Sequence, residues 1–162
     1  MPMPMPMSIR LASKNDAKEI SDIVISSAET NKDQDFDPAG WQFFVETNGE
    51  APMRERIADD RHFTLCYITD NRIVGIITIR DNTKIDQLFV LKRARNRGIA
   101  NLLWQEAKRL CCDRGNAGNF WVRSSTLAIP VYRQMGFVAV GERRVKNGIA
   151  YQLLTMGNAT ES

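Results

Sequence analysis

Residues 90–100 read Val-Leu-Lys-Arg-Ala-Arg-Asn-Arg-Gly-Ile-Ala, so the end of an apolar strand, a basic turn and the start of an amphipathic helix follow one another closely. That order suits an anion. The first amides of a helix lack intrahelical acceptors and lie at the positive end of its dipole, so they can donate to phosphate oxygens. Gly98 and Ala100 leave little side chain over those amides, and Arg93, Arg95 and Arg97 add long-range attraction. An ordinary strand-to-helix connection with a solvated basic face has the same composition, and there the guanidinium groups contribute little. Metal chemistry has far less to work with: one histidine, His62, and the scattered Cys66, Cys111 and Cys112 make no ligand set.

The elements that must position this loop follow from hydrophobic periodicity. Residues 8–12 read as a short first strand, and Ser13-Lys-Asn-Asp16 has the capping-box form that starts a helix. Ala17, Ile20, Ile23, Val24 and Ala28 give that helix one apolar face. In residues 31–60 the aromatics Phe36, Trp41, Phe43 and Phe44 are separated by Pro, Gly and acidic residues, which predicts a loop plus one helix. From His62 the period becomes two, Asp70-Asn71 supplies a turn, and residues 73–80 and 85–90 continue as strands around a second turn at 81–83. Ile99, Leu102, Leu103, Ala107, Leu110 and Cys111 stripe the long helix, whose exit Gly115 and Gly118 bracket. Residues 120–122 read as a buried strand, Ser124-Ser-Thr126 opens a short helix that ends at Gly136, and Asn147-Gly148 joins the last two strands. The order β-α-(α)-β-β-β-α-β-α-β-β predicts a mixed α/β or α+β domain, with hairpins first and a strand-helix-strand crossover later.

A chain of 162 residues with 43% apolar content can build one core. We expect a disordered N-terminal extension at 1–7, one domain at 8–157 and a flexible tail at 158–162. The net charge of +3 is modest for a protein that grips many phosphates. A nucleic-acid binder would have to use Lys92, Arg93, Arg95 and Arg97 with Lys108 and Arg109, without any recognition-helix or aromatic-platform motif. An odd number of cysteines with an adjacent pair gives no disulfide framework and points to a reducing, cytoplasmic setting. The opening Met-Pro repeat lacks the charged and apolar regions of a secretory signal, and no apolar run approaches the ~18 residues of a membrane span, so neither membrane nor nucleic acid is expected as a partner.

Arg95-Asn-Arg-Gly98-Ile-Ala100 resembles the Gln/Arg-x-x-Gly-x-Gly/Ala signature that lies between the fourth strand and third helix of the GNAT superfamily of N-acetyltransferases. Leu88-Phe-Val90 is similar to the strand that precedes it there, although Lys92 stands where proline is common. Ser125-Thr-Leu-Ala128-Ile-Pro-Val-Tyr132-Arg-Gln-Met-Gly136-Phe137 resembles the family's second motif at the right interval, with Ser in place of the more usual Asn. The resemblance implies a central mixed, mostly antiparallel sheet of about six to seven strands flanked by about four helices. It also implies a splayed V between the fourth and fifth strands. By the same resemblance Asn96, Arg97, Gly98, Ile99, Ala100 and Asn101, together with Arg95, hold the pyrophosphate of acetyl-CoA, and no metal is needed. Backbone groups of Leu88, Phe89 and Val90 meet the pantetheine arm. Ser125 caps its helix or touches that arm.

Acetyl transfer to an amine needs a neutral nucleophile, a donor for the developing oxyanion and a proton for the departing thiolate. The resemblance assigns the last role to Tyr132; the alternative is a buried amphipathic tyrosine of the core. Where some relatives carry a glutamate base this chain has Phe120, and Asp86 on the fourth strand, on the same face as Leu88 and Val90, is the candidate base acting through water. Glu142 and His62 are weaker options. By the resemblance Trp41, Phe44 and Tyr151 would line the acceptor pocket, with Glu46 or Glu50 attracting a cationic amine, although Trp41 and Phe44 read singly are core residues. The expected activity is acetyl transfer from acetyl-CoA to a primary amine of a small molecule or peptide, with a homodimer as one option for assembly. The alternative is an inactive acyl-CoA-binding sensor or scaffold of the same fold.

Overall fold

The computed structural model describes residues 7–162. Most of the N-terminal extension lies outside the described residues; Met7, placed in it from sequence, already pairs with Thr69 as the first residue of β1 (Met7–Leu11). Asp16 accepts the Ser13 amide at 2.8 Å and a two-pronged ion pair from Arg10 at 2.8 and 3.0 Å, which fixes the entrance to α1 (Ala17–Glu29). The helix buries Ala17, Ile20, Ile23, Val24 and Ala28, the residues that periodicity selects.

Residues 31–60 depart from the loop and single helix expected. They form α2 (Lys32–Asp35), α3 (Pro38–Thr47) and α4 (Glu50–Ala58). The breakers that interrupted the pattern sit at helix starts: Asp37 caps α3 by accepting the Gly40 amide at 2.6 Å, Pro38 occupies its first turn, and Gly49 is the N-cap of α4.

Strands β2 (His62–Thr69), β3 (Arg72–Arg80), β4 (Lys84–Val90), β5 (Phe120–Ser124), β6 (Val138–Lys146) and β7 (Ile149–Met156) complete a seven-stranded sheet in the order β1-β2-β3-β4-β5-β7-β6. The turns Asp70-Asn71 and Asn147-Gly148 have positive φ at both central residues, the geometry that matches strand twist in tight hairpins. Helix α5 (Ile99–Asp113) makes the crossover from β4 to β5, the one parallel pair among the described residues. Helix α6 (Ile129–Gln134) starts later than Ser124-Ser-Thr126 suggested, because β5 runs on to Ser124 and a turn intervenes before Pro130 enters the first helical turn.

Two apolar layers cover the sheet. On one face α1 and α4 pack Ile20, Ile23, Val24 and Met53 against Ile73 and Ile76. On the other, Leu103, Trp104 and Ala107 of α5 meet Ile77, Ile79, Ile85 and Phe120, with Trp104 edge-on to Phe120 at 4.9 Å between ring centroids. Burial on this scale is the main stabilising term of the fold.

Candidate active site

Seven residues of β4 lie opposite six of β3: Thr78 pairs with Gln87 and Ile79 with Ile85, so Asp86 is an extra residue, a bulge. On the far side β4 pairs with β5 only at Lys84 and Ile85, and beyond them the two strands part. The Leu91 amide donates to the Val74 carbonyl at 2.8 Å, so by alternation the main-chain groups of Leu88 and Val90 point away from β3 into that gap. The result is an opening lined by strand donors without a partner among the described residues. The bulge also corrects one expectation: Asp86 does not share the face of Leu88 and Val90. Those two pack on the layer that contains α5, whereas Asp86 faces Arg56 of α4.

The gap opens into a cleft of about 700 Å³ that runs to the start of α5. Gly98, the N-cap, has φ +77°, and a Cβ placed on it would meet nothing within 4 Å. The first intrahelical bond runs from Leu102 to the Gly98 carbonyl, so the amides of Ile99, Ala100 and Asn101 face the cleft without an acceptor among the described residues. These features fit a diphosphate: open space over unpaired amides at the positive end of a 15-residue helix. Leu88, Phe89, Val90, Arg95, Asn96, Gly98, Ile99, Ala100, Asn101, Ser125 and Tyr132 all line the cleft; Arg97 is exposed and does not. Arg95 turns inward, and its Nε donates to the Val90 carbonyl at 3.1 Å, which ties the loop to the strand end.

A second cavity, about 350 Å³, adjoins the first and shares Asn31, Leu88, Phe89, Ser125, Ala128 and Tyr132 with it. Tyr132 is 5% exposed, packs edge-on to Phe137 at 5.8 Å, and burial pushes its phenol pKa up. Ser125 Oγ accepts the Ala128 amide at 3.3 Å, bracing the turn that delivers α6.

Asp86 lies in the second cavity with Lys84 Nζ at 3.1 Å, His62 Nε2 at 3.9 Å and Arg56 Nε at 4.0 Å. Burial lowers the pKa of Lys84, opposed by Asp86, and burial likewise lowers that of His62. Phe44 and Tyr151 line this cavity; Trp41 stands behind the wall, stacked on Phe44 at 5.8 Å. Glu46, Glu50 and Glu142 are exposed on the surface.

Sequence reasoning missed Gln87 and Asp35. Gln87 lies on the second cavity, Nε2 donating to Asn48 Oδ1 at 2.6 Å and Oε1 buried without a partner among the described residues. Asp35 accepts the amide and hydroxyl of Thr126 and a guanidinium hydrogen of Arg143. Neither carries a local signal: one sits in a strand that reads as apolar, the other in a polar run that reads as solvated.

A family profile described as "Acetyltransferase (GNAT) domain" matches residues 16–156. No curated protein sequence matches the chain. Among solved structures it is similar to a protein from Rhodopseudomonas palustris titled a GCN5-related N-acetyltransferase and class-II aminotransferase. The TM-score is 0.78 at 23% identity, over 96% of this chain and 98% of that one. It is also similar to the PaiA N-acetyltransferase of Thermoplasma acidophilum in complex with coenzyme A, at TM-score 0.79 and 14% identity over 93% and 98% of the two chains. For the dodecameric spermidine N-acetyltransferase of Vibrio cholerae the values are 0.60 and 16% over 93% and 91%. At such identities the solved structures speak for the fold, whereas the profile speaks for descent. It runs from the cap of α1 to the last residue of β7, leaving outside it the edge strand β1 with the turn after it and the tail from residue 157, and the chain therefore belongs to the GNAT acetyltransferase family.

Proposed function

We propose that the protein transfers the acetyl group of acetyl-CoA to a primary amine. One observation carries this reading: Tyr132 stands on the wall common to two cavities, one ending at unpaired helix amides and the other lined by Asp86. Acetyl-CoA, with its diphosphate over Ile99, Ala100 and Asn101, supplies an activated thioester. The main-chain donors of Leu88 and Val90 face the gap where negative charge develops on the carbonyl oxygen. The Tyr132 hydroxyl, protonated at neutral pH as an ordinary phenol is and pushed further that way by burial, gives its proton to the departing sulfur as the C–S bond breaks. Asp86 takes, through water, the proton that the attacking amine releases. The products are an amide and the free thiol of CoA.

The test is thiol release from acetyl-CoA across polyamines, amino acids, aminoglycosides and peptide N-termini. We expect acceptor-dependent release with at least one class. Tight acetyl-CoA binding with no transfer to any of them would replace the reading by that of a CoA-binding scaffold. A salt-sensitive affinity for duplex DNA, without a rise in melting temperature on adding CoA, would replace it by a nucleic-acid binder.

A further inference from the structure

Beside the second cavity lies a carboxylate-binding cluster that the reaction above does not use. Its occupant belongs to the chain. Beyond β7, residues 158–162, read from sequence as a flexible tail, turn back along the sheet, and the Glu161 carboxylate accepts Arg123 Nε at 2.8 Å, Arg144 Nη1 at 2.6 Å and the Tyr151 hydroxyl at 3.1 Å. The donors come from three strands: Arg123 from β5, Arg144 from β6 and Tyr151 from β7. The Arg123 guanidinium lies 5.3 Å from the Trp121 ring centre and 5.4 Å from that of Tyr151, so two aromatic faces hold its fork in place before any ligand arrives. Arg123 and Tyr151 also line the second cavity.

Charge on that cavity's wall points the same way. Its two carboxylates are already engaged: Asp35 with Thr126 and Arg143, Asp86 with Lys84. Lys146 lines the cavity and has no carboxylate partner among the described residues. With Glu161 swung aside, Arg123, Arg144 and Lys146 would be left on this rim. A polyamine would meet like charge there, whereas a carboxylate would find two guanidinium donors, one for each of its oxygens, and a hydroxyl.

We propose that Arg123, Arg144 and Tyr151 form the acceptor's carboxylate subsite, that Glu161 fills it as a tethered stand-in, and that the acceptor is an amine that also carries a carboxylate, an amino-acid-like molecule. The proposal rests on the assignment of the second cavity to the acceptor. Glu161 then acts as an intramolecular competitor: a tethered group presents its carboxylate at an effective concentration on the order of millimolar, so only carboxylates at comparable strength displace it.

Two measurements test this, the first independent of turnover. Calorimetric titration with succinate is run on the wild type, on Glu161→Gln and on the double variant Glu161→Gln with Arg123→Gln. We expect Glu161→Gln to bind succinate about tenfold more tightly than the wild type and the double variant to lose that gain. Equal affinity in wild type and Glu161→Gln overturns the subsite. Tyr151→Phe, which keeps the ring against Arg123, provides the second variant should Arg123→Gln fail to fold; it should weaken succinate binding in the Glu161→Gln background, and unchanged binding counts against the subsite. In the second measurement, KM is compared for an α-amino acid and its decarboxylated amine. The amino acid should show the lower KM, by about tenfold, and a lower value still in Glu161→Gln. An equal or lower KM for the decarboxylated amine overturns the acceptor class. If neither amine is acetylated, the proposed function fails, while the succinate titration still decides the subsite.

Discussion

Asp35 reaches from α2 to accept the Thr126 amide at 3.0 Å and the Thr126 hydroxyl at 2.6 Å, so a carboxylate 91 residues earlier in the chain fixes the turn that leads into α6 and Tyr132. Burial raises its pKa, but the bonds from Thr126 and Arg143 outweigh that and hold it below the ordinary value. Asp35→Ala should destabilise the protein by about 2–4 kcal/mol, because it strands buried donors as well as removing bonds. A depressed carboxyl pKa contributes stability above the unfolded value of about 3.9 and loses it as pH falls through the lower folded value. Melting curves should therefore show a smaller loss on acidification below about pH 4 in Asp35→Asn than in the wild type. An unchanged acid limb would remove Asp35 from that dependence.

Tyr132→Phe should lower kcat by about a hundredfold or more while the acetyl-CoA dissociation constant stays within about twofold. Because burial raises the phenol pKa, no loss of activity from its ionisation is expected below about pH 10. Unchanged turnover under conditions where the chemical step limits the rate would take Tyr132 out of the mechanism.

Two substitutions at Gly98 separate strain from occlusion. Alanine at φ +77° costs about 1–2 kcal/mol in backbone strain, whereas asparagine tolerates the left-handed region. Both put a side chain into the open space above the α5 amides. We expect both to weaken acetyl-CoA binding by about tenfold or more, and Gly98→Asn to be the better folded of the two variants. Wild-type affinity in Gly98→Asn would contradict the diphosphate site.

Asp86→Asn should reduce kcat/KM most for alkylamines, which must lose an ammonium proton before attack as well as one on forming the amide, and less for an aromatic amine that is neutral at assay pH and loses only the second. Equal losses for both would show that Asp86 takes no part in deprotonating the ammonium; no loss for either would leave it only its pairing with Lys84. Since Lys84 Nζ is buried against that carboxylate, removing the charge should also lower the melting temperature; adding Lys84→Met should restore part of it.

What sequence could show was local. The loop at Gly98 and the tight Asp-Asn and Asn-Gly turns depend on residues near each other in the chain, and each is where periodicity and turn chemistry place it, whereas the helix that carries Tyr132 starts later than its opening residues suggested. The three helices between residues 31 and 60 were obscured because Pro38 and Gly49 serve equally as breakers and as helix starts. Asp35, Gln87 and Glu161 were invisible for a different reason. Their partners Thr126, Asn48 and Arg123 are distant in sequence, and nothing in a polar residue's own neighbourhood says whether a partner waits across the fold. The face of Asp86 was misread because strict alternation along β4 contains no sign of the bulge.

That supernumerary residue has an evolutionary corollary. Strand parity makes β4 two half-strands in opposite phase: before Asp86 the frame serves the charge cluster, and after it the frame turns peptide groups toward the open gap instead of a neighbour. Point substitutions along β4 tune one half at a time, but excision of a single residue would invert one half against the other and let the sheet zip shut. Length, more than identity, is thus the conserved quantity to look for in this strand among relatives.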